Sequence, residues 1–203
     1  MPPVQRRGFL TGIGAISSLL GLSVFARPAD GDTLEVTDPW MAKVTGKHRV
    51  VFHSHEPTQG QAIRWAQTFL DTQKVAYGIR DDANTVIVGL NGKAIAWCFG
   101  DALWSKYATI GEVVQAPGNR NPQAAAIASL QARGVLFLAC NNSIRAAGPR
   151  FLPEAQRGSV EARDAFADEV RRSLLPGVEV VPSMVVTLQQ AQDRGCRYIY
   201  AGG

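Results

Sequence analysis

Three cysteines and three histidines hold most of the reactive chemistry in this 203-residue chain. Cys140 closes the apolar run Gly134-Val135-Leu136-Phe137-Leu138-Ala139 and is followed by Asn141 and Asn142. Such a run, behind a helix-stopping glycine, reads as a strand buried on both faces. A cysteine acts as a nucleophile only as thiolate. A strand end that turns into a helix offers backbone amides and the favourable end of a helix dipole to a sulfur anion. Asn141 can cap that helix or turn, and Arg145 could add positive charge if the turn brings it round. Cys140 is therefore the candidate catalytic residue, with Asn141 and Arg145 in its pocket. The alternative is a buried structural cysteine, since free Cys is among the most buried residue types.

His53-Ser54-His55-Glu56 is the second constellation. Alternate strand residues face one way, so His53 and His55 could share a side. Two imidazoles and a carboxylate would suit zinc or copper, yet His48 is the remaining histidine and no spacing fixes a third ligand. No metal is assigned. The two histidines are read as lining a strand-end pocket, where they could donate to a substrate beside Cys140 if their strands are neighbours, or as a polar loop over the sheet edge. Cys98 and Cys196 stand in apolar segments and are read as core, with a disulfide between them left open. There is no CxxC pair, nucleophile-elbow serine, phosphate loop or dinucleotide fingerprint, and no cofactor is expected.

These residues need a scaffold, and the chain supplies one. Residues 47–53 read as a first strand. Thr58-Gln59-Gly60-Gln61 spells a capping box, opening a helix with Ala62, Trp65, Ala66, Phe69 and Leu70 on one face. Residues 85–90 are a second strand, and Asn91-Gly92 before apolar 93–99 signals a hairpin. Asp101 can cap a short helix over 102–107. Asn121-Pro122 starts, and Gly134 stops, the alanine-rich helix before the Cys140 strand. Residues 143–159 read as a polar connection. Ser159 caps a helix with Phe166, Val170 and Leu174 on one stripe, ended by Pro176-Gly177. A strand at 178–181, a helix capped by Ser183 and running through Arg194, and a strand at 196–200 complete the chain. Alternating strands and helices predict one α/β domain with a mainly parallel sheet. Ligands bind such sheets outside the carboxyl ends of the strands.

The start of the chain carries an address. Gln5-Arg6-Arg7-Gly8-Phe9-Leu10 is a twin-arginine pattern, and an apolar stretch at 13–25 is too short and too weakly apolar for a good membrane span. Val24-Phe25-Ala26 fits the small-x-small cleavage rule. The expected organisation is a signal peptide over 1–26, an exposed arm over 27–46 whose end Trp40 and Met41 pin to the body, and the α/β domain over 47–203. This predicts a periplasmic protein that meets the membrane only through its signal during export; an uncleaved leader acting as an anchor is the alternative. Removing the leader removes Arg6 and Arg7 and no acid, so the formal charge of +4 becomes +2. That is too weak for a nucleic-acid footprint.

The order of motifs has a likeness. A strand ending in Cys140, a helix, Leu175-Pro176-Gly177-Val178, Val181-Pro182-Ser183, Leu188-Gln189 and Gly195-Cys196-Arg197-Tyr198-Ile199 together resemble the DsrE/DsrF-like family. Asn91-Gly92-Lys93-Ala94 through Asp101-Ala102-Leu103-Trp104-Ser105-Lys106-Tyr107 looks like its Tat-exported branch. The resemblance spans roughly residues 49–200. It implies a flavodoxin-like parallel sheet flanked by helices, assembly into trimers, hexamers or mixed oligomers (here a homo-oligomer), and, as in the sulfur-relay members, a cysteine at the position of Cys140 that carries a persulfide between a sulfur donor and an acceptor protein. For Asn91-Gly92 it implies a strand, a short extended segment and a helix, so a full or a partial hairpin are both open. The chain differs from the sulfur-relay members in its export and in lacking a second vicinal cysteine. Two functions follow as expectations. One is handling of sulfane sulfur or another thiol modification through Cys140. The other is a non-catalytic oligomeric module that holds a small ligand or metal ion near His53 and His55.

Overall fold

Five apolar runs become five strands: β1 (His48–Ser54), β2 (Asn84–Leu90), β3 (Leu136–Cys140), β4 (Val178–Val181) and β5 (Arg197–Tyr200). The computed structural model describes residues 38–116 and 118–202. In it the strands form one sheet in the order β4-β3-β2-β1-β5, every neighbouring pair parallel. Strands β1 to β4 step across the sheet in turn, and β5 returns to the far side of β1. Helices cover both faces, giving the single-domain, flavodoxin-like α/β sandwich that the alternation predicts. The twin-arginine motif, the cleavage site and the first part of the arm lie outside the described residues. No described helix is long and apolar enough to cross a membrane.

Alternate residues of each strand enter opposite cores, as a pleat requires. Val50, Phe52, Val86, Val88, Leu90, Phe137 and Ala139 face the larger core. It is closed by α1 (Gln61–Tyr77), α2 (Asp101–Lys106), α3 (Thr109–Val113), α4 (Ala124–Ala132) and α8 (Val160–Arg172). Between β3 and α8 the chain makes α5 (Asn141–Arg145), α6 (Gly148–Phe151) and α7 (Glu154–Arg157), where the sequence predicts an irregular connection. Val51, Ile87, Leu138, Cys140 and Val181 face the smaller core, closed by α9 (Met184–Asp193) and by Trp40 and Met41 of the 3-10 helix Pro39–Lys43. Trp40 and Met41 thus pin the arm's end as expected. The chain leaves β3 towards the larger core and leaves the adjacent β4 towards the smaller one. That divergence is a topological switch point, the crevice where α/β sheets take ligands.

The open reading at Asn91-Gly92 is decided against a hairpin, and the capping expectations at Thr58 and Asp101 fail. The hairpin after Asn91-Gly92 does not form: residues 94–98 are the 3-10 helix Ala94–Cys98. Strand β2 already has β1 and β3 on its two sides, so no edge remains for a hairpin partner. Instead Gly92 turns the chain with φ 54°, its amide donates to Ser143 Oγ at 3.0 Å, and the amides of Lys93 and Ala94 donate to the His55 carbonyl at 3.0 and 3.1 Å. The capping box also fails. Thr58, Gln59 and Gly60 all have positive φ (39°, 50° and 75°), Gly60 is the N-cap of α1, and the Thr58 hydroxyl donates to the Glu56 and Ala201 carbonyls. The left-handed turn carries that hydroxyl away from the amide of Gln61. Asp101 starts α2 rather than capping it: its carboxylate accepts from the Asn121 amide at 3.0 Å. Ser159 does cap α8, accepting from the Ala162 amide at 3.0 Å.

Candidate functional site

Cys140 ends β3 at the switch point. The pleat turns its side chain into the smaller core, where the residue is 4% exposed. Its Sγ accepts a hydrogen bond from the Met184 amide at 3.3 Å. The topology makes this contact: after β4 the chain recrosses the sheet, and the first residue of α9 meets the end of the neighbouring strand. Ser183 is the N-cap of α9, but its side chain makes no capping bond. Gly89 lets the Met184 side chain lie directly against the β2 backbone, since a Cβ there would lie 2.7 Å from Met184 Sδ.

His53 lies in β1 and is held by two residues the sequence reading did not select. Asn91 Oδ1 stands 3.0 Å from its Nε2, and the Tyr198 hydroxyl 3.0 Å from its Nδ1. With the amide oxygen accepting, Nε2 carries the proton and Nδ1 accepts from the tyrosine. The rings of Tyr198 and Tyr200 stand 5.9 and 5.6 Å away. Burial holds the imidazole below its ordinary titration range, the Asn91 bond partly offsets that, and His55 depresses it further. A metal could take His53 only by displacing one of these hydrogen bonds.

The remaining candidates scatter. His55 lies beyond the last residue of β1, exposed, with Nε2 4.0 Å from Glu56 Oε1. Asn141 is engaged elsewhere: its Oδ1 accepts from Nε and Nη2 of Arg171 in α8, each at 3.1 Å. Arg145 is exposed at the end of α5. Strand β2 separates β1 from β3, so the strands of His53 and Cys140 are not neighbours. Leu90 pairs with Ala139, which puts Asn91 and Cys140 next in register. Asn91 thus stands between the two at the strand ends. Sequence reading takes it for a turn residue, because Asn-Gly is a turn signal whatever the amide does. Among the described residues no group of three or more His, Cys, Asp and Glu gathers to hold a metal.

The other two cysteines are core, on opposite sides of the sheet. Cys98 belongs to the larger core, and complete burial pushes its thiol up to about 12. Cys196 belongs to the smaller core, where burial raises its thiol while Arg49 and Arg194 counter part of the rise. All three cysteines are free. Sequence reading also misses a cavity of about 470 Å³ beside the β1–α1 turn. It is lined by Thr58, Gln59 and Gln115, the non-glycine residues with positive φ among those described, and by Arg64 and an ion pair of Glu56 with Lys93 at 3.3 Å.

No family model and no curated protein matches the chain. Among solved structures it is similar to a protein of unknown function, MTH1491 from Methanobacterium thermoautotrophicum, at 19% identity and a TM-score of 0.47. The match covers 76% of this chain and 99% of that one. A likeness that loose carries no inference about function.

Proposed function

We propose that the protein is an exported, DsrE-like thiol protein in which Cys140 receives and passes on sulfane sulfur. The supporting observation is the place of Cys140, at the switch point with the Met184 amide aimed at its sulfur. In the proposed step the Cys140 thiolate attacks the outer sulfur of a donor persulfide. The donor S–S bond breaks, the donor leaves as thiolate, and Cys140 becomes the persulfide, with no net oxidation. The Met184 N–H then donates to the sulfur chain. The donor and acceptor are proteins or small persulfides of the exported compartment. The exposed edge strand β5, with Tyr198, Ile199 and Tyr200 all partly open to solvent, supports self-association. Mass spectrometry after exposure to inorganic polysulfide tests the reading. The parent should gain sulfur at Cys140, and Cys140→Ser should gain none there. Equal uptake by both proteins overturns it.

The 4% exposure of Cys140 favours a second reading, in which the thiol is structural and the strand-end crevice near His53 holds a small ligand. Alkylation of the native protein separates the two. Modification of Cys140 well before global unfolding supports sulfur handling, whereas protection until unfolding supports the binding module.

A further inference from the structure

At the amino end of β1 and β5, away from Cys140, a cavity of about 450 Å³ combines positive charge with an apolar lining. Lys47, Arg49 and Arg197 contribute the charge; Val50, Phe69 and Ile199 contribute the apolar surface, and no Asp or Glu lines it. Among the described residues none of these three cations has a carboxylate within salt-bridge distance, although Lys43, Arg80, Lys93, Lys106, Arg133 and Arg171 each do. Arg49 is the most constrained. Its Nε donates to the Gly46 carbonyl and its Nη1 to the Arg194 carbonyl, each at 2.6 Å. Arg49 shares the face of Val51, so its guanidinium is held on the α9 side, whereas Arg197, paired with Val50, stands on the face of Val50, Phe69 and Ile199 and carries the charge nearest the apolar lining. The edge position of β5 leaves the site open on one side, since β5 has β1 as its neighbour and nothing beyond.

We propose that this cavity binds a small organic anion with an apolar body, of the carboxylate or sulfonate class. Cationic side chains and apolar surface in one cavity match a ligand that has both a charged head and a hydrocarbon or aromatic part. An inorganic oxyanion would leave most of about 450 Å³ unfilled and the apolar lining wet. The site is independent of the thiol reading, being at the opposite end of the strands from Cys140.

Isothermal titration of the full chain with sodium decanoate, and separately with sodium sulfate, tests this. Decanoate should bind one to one, and sulfate at least about tenfold more weakly. A hydrogen bond to a charged group contributes about 1.5–3 kcal/mol, so Arg197→Glu and Lys47→Glu should each weaken decanoate binding about tenfold or more. Both residues are exposed, and unchanged circular dichroism and unfolding midpoint will show that the variants fold. Ile199→Asn, which removes apolar surface without adding charge, should weaken decanoate and leave sulfate unaffected. Failure of decanoate to bind, sulfate binding as tightly as decanoate, or retained affinity in both charge-reversal variants overturns the proposal.

Discussion

Gly92 and His53 are tied to each other's surroundings, and both give measurable consequences. A Cβ at Gly92 would lie 2.5 Å from the His55 carbonyl oxygen, in a backbone with φ 54°. That oxygen is fixed by two amides, so it cannot retreat cheaply. Gly92→Ala should therefore cost about 1–3 kcal/mol, read as a lowered denaturation midpoint with unchanged slope. His53 gives a pH dependence whose sign follows from its environment. Its imidazole is held below the ordinary value of 6.5, chiefly by burial, so the unfolded chain takes the proton first as pH falls. The associated stability is complete above pH 6.5 and is lost as pH drops through the folded value. Asp81, held low by the guanidinium of Arg133, titrates below 3.8 and falls outside that window. Unfolding free energy of the parent should decline between pH 7 and the folded His53 value, and His53→Gln should flatten that decline. A variant with the parent's slope would show that another group carries it.

Elements were legible in the sequence where one local signal decides them, and illegible where neighbours in space decide. Ser159 is decided locally: a serine before an amphipathic run, with its hydroxyl on the Ala162 amide. Ser159→Ala should cost α8 about 1 kcal/mol, which equilibrium unfolding can resolve. The apolar strands and the glycine stops were equally plain. The Asn91-Gly92 segment is the opposite case, because its hairpin signal loses to two strands that arrive on either side of β2 from distant sequence. Within the site, Cys140 was legible as the end of a buried run. Its partner, the backbone amide of Met184, has no side-chain signature at all. The Asn91 and Tyr198 contacts to His53 likewise require β2 and β5 to flank β1. The Pro39–Lys43 helix was legible only as an apolar pair, Trp40 and Met41, in a polar arm. Trp40 is fully buried and helps α9 to close the smaller core. Trp40→Ala should cost about 3–5 kcal/mol, the range for emptying a large aromatic site. A loss below 1 kcal/mol would mean that the core does not depend on this short helix.

At the scale of the whole molecule the sheet is a wall, and it sorts the cysteines. Cys98 lies in the core on one side, Cys140 and Cys196 in the core on the other. A disulfide needs Cα atoms within about 7 Å, and two cysteines on opposite faces of a sheet, each under its own layer of helices, cannot meet without unfolding. The oxidising compartment proposed for the protein should therefore leave Cys98 a free thiol. Its complete burial, with the thiol pushed up to about 12, also removes it from attack by alkylating or oxidising reagents. Cys196 lies just before the edge strand β5, and Arg49 and Arg194 counter part of the rise that burial gives its thiol, so it should react sooner than Cys98. Peptide mapping of the non-reduced native protein after mild oxidation should find no peptide joining residues 98 and 196. Graded alkylation in denaturant should label Cys98 last, at the same denaturant concentration that abolishes tryptophan burial. Early labelling of Cys98, or a cross-linked pair with Cys196 in folded protein, would mean that the two cores open to each other and that the sheet is not the barrier its topology makes it.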